Sequence, residues 1–102
     1  MLYVSGLREL SKETARIEAE HGFEPASREN ALAKLMLVVT EVAEAAEDVR
    51  NQRWEHFGEE IADTFIRLLN LCYSMGIDID AEIARKMLIN EARPYRHGGK
   101  TA

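Results

Sequence analysis

Four acidic residues fall into two pairs of equal spacing, Glu41 with Glu44 and Glu60 with Asp63. An i, i+3 step puts both members of a pair on one face of a helix. The two pairs are symmetric about residue 52, inside the polar run Asn51-Gln52-Arg53. A turn at that point, joining two antiparallel helices, sets Glu41 level with Asp63 and Glu44 level with Glu60. Four carboxylates then converge at one height, where like charge penalises every ionised member. Lysine and arginine side chains can relieve that penalty, and Arg67 stands four residues beyond Asp63. A divalent cation relieves it more completely. All-oxygen donors favour a hard ion, Mg²⁺ or Mn²⁺. None of the four acids begins a Glu-x-x-His step, which disfavours a di-iron site, and the single cysteine, Cys72, disfavours zinc.

The elements that must hold these acids are helices. Apolar residues recur with helical period, no alternating strand pattern occurs, and Pro25 and Pro94 act as punctuation. A first helix is expected over about Ser5 to Glu20, with Leu7, Leu10, Ala15 and Ile17 on its buried side, ended by His21-Gly22-Phe23-Glu24-Pro25. Ser27 is the expected N-cap of a second helix reaching about Arg50. Its main apolar stripe is Leu32, Leu35, Met36, Val39, Val42, Ala43, Ala46 and Val49, with Ala33, Leu37 and Val38 off the stripe. Between Ala31 and Ala46 the only charged residues are Lys34, Glu41 and Glu44, so this helix should be buried on more than one side. A third helix is expected over about Trp54 to Ser74. Its stripe is Phe57, Ile61, Phe65, Leu68, Leu71, Cys72 and Met75, and its separate polar face carries Glu60, Asp63, Arg67 and Asn70. Gly76 suits the C′ position. Asp78 or Asp80 then caps a fourth helix through about Ala92, and Pro94 stops it.

The chain of 102 residues fits one all-α domain, 1–102, with a basic tail from about 94 that is expected to be mobile without a partner. Its net charge of −5 argues against stable nucleic-acid binding, which needs a basic footprint. No apolar run approaches membrane-spanning length, and the start is too weakly apolar for a signal peptide. One cysteine allows no internal disulfide, so the expected setting is soluble and cytoplasmic. A helical domain this small has a thin core, and homo-oligomerisation is the expected remedy.

The spacing Glu41-Val-Ala-Glu44, fifteen residues, then Glu60-Ile-Ala-Asp63 resembles the ExxE…ExxD signature of the MazG-like all-α nucleoside triphosphate pyrophosphohydrolases. Lys86-Met-Leu-Ile-Asn90-Glu-Ala-Arg93-Pro-Tyr95 is similar to that family's K-x-x-x-N-x-x-R-x-Y segment, and the resemblance spans about residues 27 to 100. It implies a four-helix bundle-like fold completed by homo-oligomerisation, as a homodimer or a dimer of dimers. It also implies Mg²⁺-dependent cleavage of a nucleoside triphosphate to monophosphate and pyrophosphate, in nucleotide-pool house-cleaning. Metal binding and catalysis would fall to Glu41, Glu44, Glu60 and Asp63, and phosphate binding to Lys86, Asn90, Arg93 and Tyr95. Many members carry a further glutamate just before the first metal-binding one, where this chain has Thr40, and Glu47 lies one turn beyond Glu44 as a substitute.

Other features have plainer readings. Gly99-Lys100-Thr101 fails as a phosphate loop, because the required glycine is Pro94. Trp54 should staple a helix start to the core, and Cys72, Met36, Met75 and Met87 should be core material. The competing function is a non-catalytic helical partner whose acids pair with cations across an interface, or a nucleotide-binding regulator without turnover.

Overall fold

The computed structural model describes residues 5–94. Over that span the chain forms four helices and no strands: α1 (Leu7–Glu20), α2 (Ala31–Arg50), α3 (Trp54–Ser74) and α4 (Ile79–Glu91). The expected phosphate ligand Tyr95 and the basic tail after Pro94 lie outside the described residues. No described helix is long and apolar enough to cross a membrane.

α2 and α3 form the antiparallel hairpin that the symmetric acid pairs require. Three residues separate them. Gln52 takes a left-handed φ of 56°. Arg53 N–H donates to the Asp48 carbonyl at 2.8 Å, satisfying one of the last orphan carbonyls of α2. The Arg53 guanidinium reaches the same residue, Nε to Oδ1 of Asp48 at 3.0 Å. Asp48 is buried, so both its main chain and its side chain pin the turn.

α3 is the central element. α2 packs along it most extensively, α1 packs on it next, and α4 lies chiefly against α1. The buried side of α1 matches the expected Leu7, Leu10, Ala15 and Ile17 only in part, since Leu7 and Ala15 are half-buried. Ser11 and Thr14 are buried, while Leu10 and Ile17 stand in solvent. These small side chains satisfy their own hydroxyls, Ser11 on the Arg8 carbonyl at 2.7 Å and Thr14 on the Ser11 carbonyl at 2.8 Å, which lets α1 approach closely without stranding a donor.

Helix ends follow local chemistry. The expected cap Ser27 does not open α2. Ser27 N–H donates to Asn30 Oδ1 at 2.7 Å and the two residues close a turn of their own, so α2 begins at Ala31. Asp78 caps α4, its Oδ1 accepting from Ala81 N at 3.3 Å. Asp80 serves another helix: its carboxylate accepts from the Leu7 and Arg8 amides, each at 3.1 Å, and so caps α1 across 72 and 73 residues of sequence. Gly76 takes the left-handed φ of 71° expected just beyond α3.

The largest departure concerns the α2 stripe. Leu32, Leu35, Met36, Val39, Val42 and Val49 are exposed, and the side of α2 turned to α3 carries Glu41, Ala45 and Asp48 instead. Among the described residues the buried apolar set is Ala45, Leu69 and Cys72. Cys72 is buried as expected. Met36 and Met87 are exposed rather than core, and Trp54 is largely exposed rather than stapled to the core, its ring edge-to-face with Phe57 at a centroid separation of 6.0 Å.

Candidate metal centre

The hairpin brings Glu41 from the middle of α2 against Glu60 and Asp63 from the first half of α3. One carboxylate oxygen from each of the three lies within 4.8 Å of the other two. An octahedral Mg²⁺ with oxygen ligands at about 2.1 Å spans about 4.2 Å between opposite ligands. Neighbouring ligands on such an ion lie about 3.0 Å apart, so the three oxygens, within 4.8 Å of one another, must draw closer to share one ion.

Glu60 is the electrostatic centre. Its Oε2 is buried and has no hydrogen-bond partner among the described residues. Its carboxyl is pushed up to about 7, first by the neighbouring Glu41 carboxyl, then by burial, and then by the charges of Glu44 and Glu41. Glu44, though outside the tight trio, is thus near enough to act on Glu60. A buried acid oxygen with no donor is costly as an anion, and a cation supplies the missing partner.

One cation from the protein is already present. Arg67 Nε donates to Glu41 Oε1 at 3.0 Å, with the Glu41 side chain only 13% exposed. The sequence spacing points Arg67 at Asp63 within α3. The structure instead sends it across the hairpin to α2. Glu41 keeps a second oxygen for another partner. The rest of the donor set is carboxylate, so the residues present fit a hard divalent ion.

The acids open onto a groove. On the side of the turn, Thr40, Glu44, Glu47, Asp48, Arg53 and Glu60 line a shallow cavity. Thr40, at the position where an extra acid was sought, spends its hydroxyl on the Met36 carbonyl at 3.1 Å. Glu47 pairs with Arg50 and does not join the trio. On the other side, Lys34, Leu37, Arg67 and Asn70 line a cavity of about 290 Å³, roofed by Glu18, Phe23, Glu24 and Ala26. Asn70 Oδ1 there is also buried without a hydrogen bond among the described residues. A periodic sequence reading places Lys34 and Asn70 on helices, but only the fold puts them in one pocket with Arg67.

The expected phosphate ligands are placed elsewhere. Lys86 and Asn90 are exposed on α4, which packs on α1, and Arg93 lies past the end of α4 rather than on its face. None of the three lines the groove beside the acids. No family model matches this chain, and no curated protein or solved structure does so either.

Proposed function

We propose that this protein is a Mg²⁺-dependent nucleoside triphosphate pyrophosphohydrolase, releasing nucleoside monophosphate and pyrophosphate. The observation that carries the reading is the trio Glu41, Glu60 and Asp63, with one Glu60 oxygen buried and unpartnered. Those three and Glu44 would hold the metal, Mg²⁺ in the first instance and Mn²⁺ as a substitute. When bound, the ion would polarise a phosphoryl oxygen and acidify a coordinated water. The chain's own residues bind and orient. Arg67 holds Glu41 in place and, with Lys34, offers positive charge along the groove. Asn70 stands two helical turns from Asp63, about 10.5 Å along the axis. That separation suits a nucleoside seated in the 290 Å³ cavity while its phosphates reach the acids.

The specific fold proposed is the all-α pyrophosphatase bundle completed by further copies of the chain, working in the cytoplasm on the nucleotide pool. Phosphate contacts from Lys86, Asn90, Arg93 and Tyr95 rest on the sequence resemblance alone, whereas those from Lys34 and Arg67 rest on geometry. The deciding experiment is pyrophosphate release from a panel of common and damaged nucleoside triphosphates in millimolar Mg²⁺, with wild type and Glu44→Gln. Release by wild type and its loss in the variant support the reading. No release from any member of the panel sinks it.

The Arg67–Glu41 pair favours a second reading, in which acids and cations serve only packing. Magnesium separates the two. A metal site raises the melting temperature at millimolar Mg²⁺ well beyond an equal ionic strength of NaCl, whereas ion pairing follows ionic strength alone.

A further inference from the structure

The cavity of about 290 Å³ beside the acids has a neighbour of about 700 Å³ between α1 and α3. The two share four lining residues, Glu18, Phe23, Glu24 and Asn70, which therefore form the neck between them. The cations stay to either side of it. Lys34 and Arg67 line only the smaller cavity, with Arg67 held by Glu41. Lys12 and Arg16 line only the larger one, with Arg16 held by Glu13 and Glu20.

The neck is thus one ring and three acceptor side chains. Phe23 is 60% exposed, yet its main chain is fixed: it follows Gly22 at a left-handed φ of 82°, and its N–H donates to the Glu18 carbonyl at 3.1 Å. A bare ring on a pinned backbone is a stacking face for another flat ring. Glu18 and Glu24 form no ion pair among the described residues. An ionised carboxylate can only accept hydrogen bonds. Asn70 Oδ1 also lacks a donor among the described residues. The torsion at the end of an Asn side chain is broad, so the amide can turn that oxygen to a ligand in the neck. Asn70 lies two helical turns from Asp63, so phosphates held at the acids leave the base at the neck. Two unpaired carboxylates there repel a phosphate chain and favour that direction.

We infer that the neck selects nucleotides whose base carries an exocyclic amino group, the base lying on Phe23 and giving its N–H bonds to Glu18, Glu24 and Asn70. This selection rests on the pyrophosphohydrolase reading of the acids, which sets where the phosphates go. Guanine fits best. Its N1–H and its N2 amine are contiguous donors, enough for one carboxylate and the Asn70 oxygen together. Cytosine and adenine bring one amine beside a ring nitrogen. Uracil, thymine and hypoxanthine bring a single ring N–H beside carbonyl oxygen, and that oxygen would face a carboxylate. Discrimination then comes from acceptors left without a donor, which a polar site penalises far more than a change of shape.

Calorimetric titration of the full chain in Mg²⁺ with α,β-methylene triphosphates tests this, because those analogues are not cleaved between the α and β phosphates. The guanosine and inosine analogues differ only in the 2-amino group, and the cytidine and uridine analogues exchange an amine for a carbonyl. The amino member of each pair should bind at least about tenfold more tightly. Glu18→Gln, which keeps the shape and adds a donor, should narrow each gap at least about threefold, and so should Asn70→Leu. If Asn70→Leu loses its helical circular dichroism, Glu18→Gln at its half-buried place on α1 decides alone. Equal or reversed affinity in either pair overturns the inference, as do gaps unchanged in a folded Glu18→Gln or no binding of any of the four. A chain that releases pyrophosphate without preferring amino-bearing bases refutes this selection alone. One that binds the analogues with the expected gaps and releases no pyrophosphate refutes the enzymatic reading alone.

Discussion

Glu60 ties the chemistry of the candidate centre to a measurable titration. Its carboxyl has an ordinary value of 4.5 and is held at about 7 in the folded chain. Between those values the folded state keeps a proton that the unfolded state has released. Stability from this group is therefore present at acid pH and is lost as pH rises through the window, the loss being complete above about pH 7. Without metal, the protein should melt at a lower temperature at about pH 8 than at about pH 5.5, and Glu60→Gln should flatten that slope. Coordination needs the ionised carboxylate, so the stabilisation by Mg²⁺ should grow over the same interval. A Mg²⁺ response that does not change with pH would refute the assignment of Glu60 as a ligand. Glu44→Gln belongs to the same scale. It removes one of the charges bearing on Glu60, so it should abolish pyrophosphate release while preserving or raising metal-free thermal stability. Lower metal-free stability in that variant would mark Glu44 as a structural ion-pair partner instead.

Two side chains fix how the helices meet. Asp48 is buried at the hairpin turn and binds Arg53 through both backbone and side chain. Asp48→Ala should cost about 1–3 kcal/mol in urea unfolding and should weaken any Mg²⁺ response, because the register of the acids depends on that turn. Asp80 fastens α4 to the start of α1 by accepting from two orphan amides. Asp80→Ala should cost about 1 kcal/mol, and hydrogen exchange should speed up at Leu7 and Arg8 while the α2–α3 hairpin keeps its protection. The helix limits were largely legible in the sequence, because their signals are local. The polar break at Asn51–Arg53, Gly76 beyond α3 and Asp78 before α4 act within a few residues. Ser27 was misleading because a neighbouring side chain, Asn30, competes for it. Asp80 was ambiguous because its partners lie more than seventy residues away.

For the molecule as a whole, the decisive fact is how little apolar surface one copy buries. Among the described residues the buried apolar side chains are Ala45, Leu69 and Cys72, a thin core for a domain of this size, while a seam of Leu and Val lies along the outside of α2. Periodicity identified that seam and placed it on the buried side of the helix, with homo-oligomerisation expected to complete a thin core. It carries no information on whether the matching surface is in the same molecule or another. The sequence alone determined that this protein is all-α, that its acids come as two i, i+3 pairs on the helices either side of a turn, and where that turn falls, since spacing, charge and turn chemistry are properties of neighbouring residues. Tertiary structure alone decided that α3 lies between α1 and α2, that Arg67 crosses to Glu41, that α4 carries Lys86 and Asn90 away from the acids, and that the aliphatic side of α2 is left uncovered. Those outcomes turn on which of two adjacent faces a helix presents to its neighbour. On α2 the small Ala45 and the turn-forming Asp48 allowed the closer approach, and the bulkier Leu and Val side chains were left facing outward.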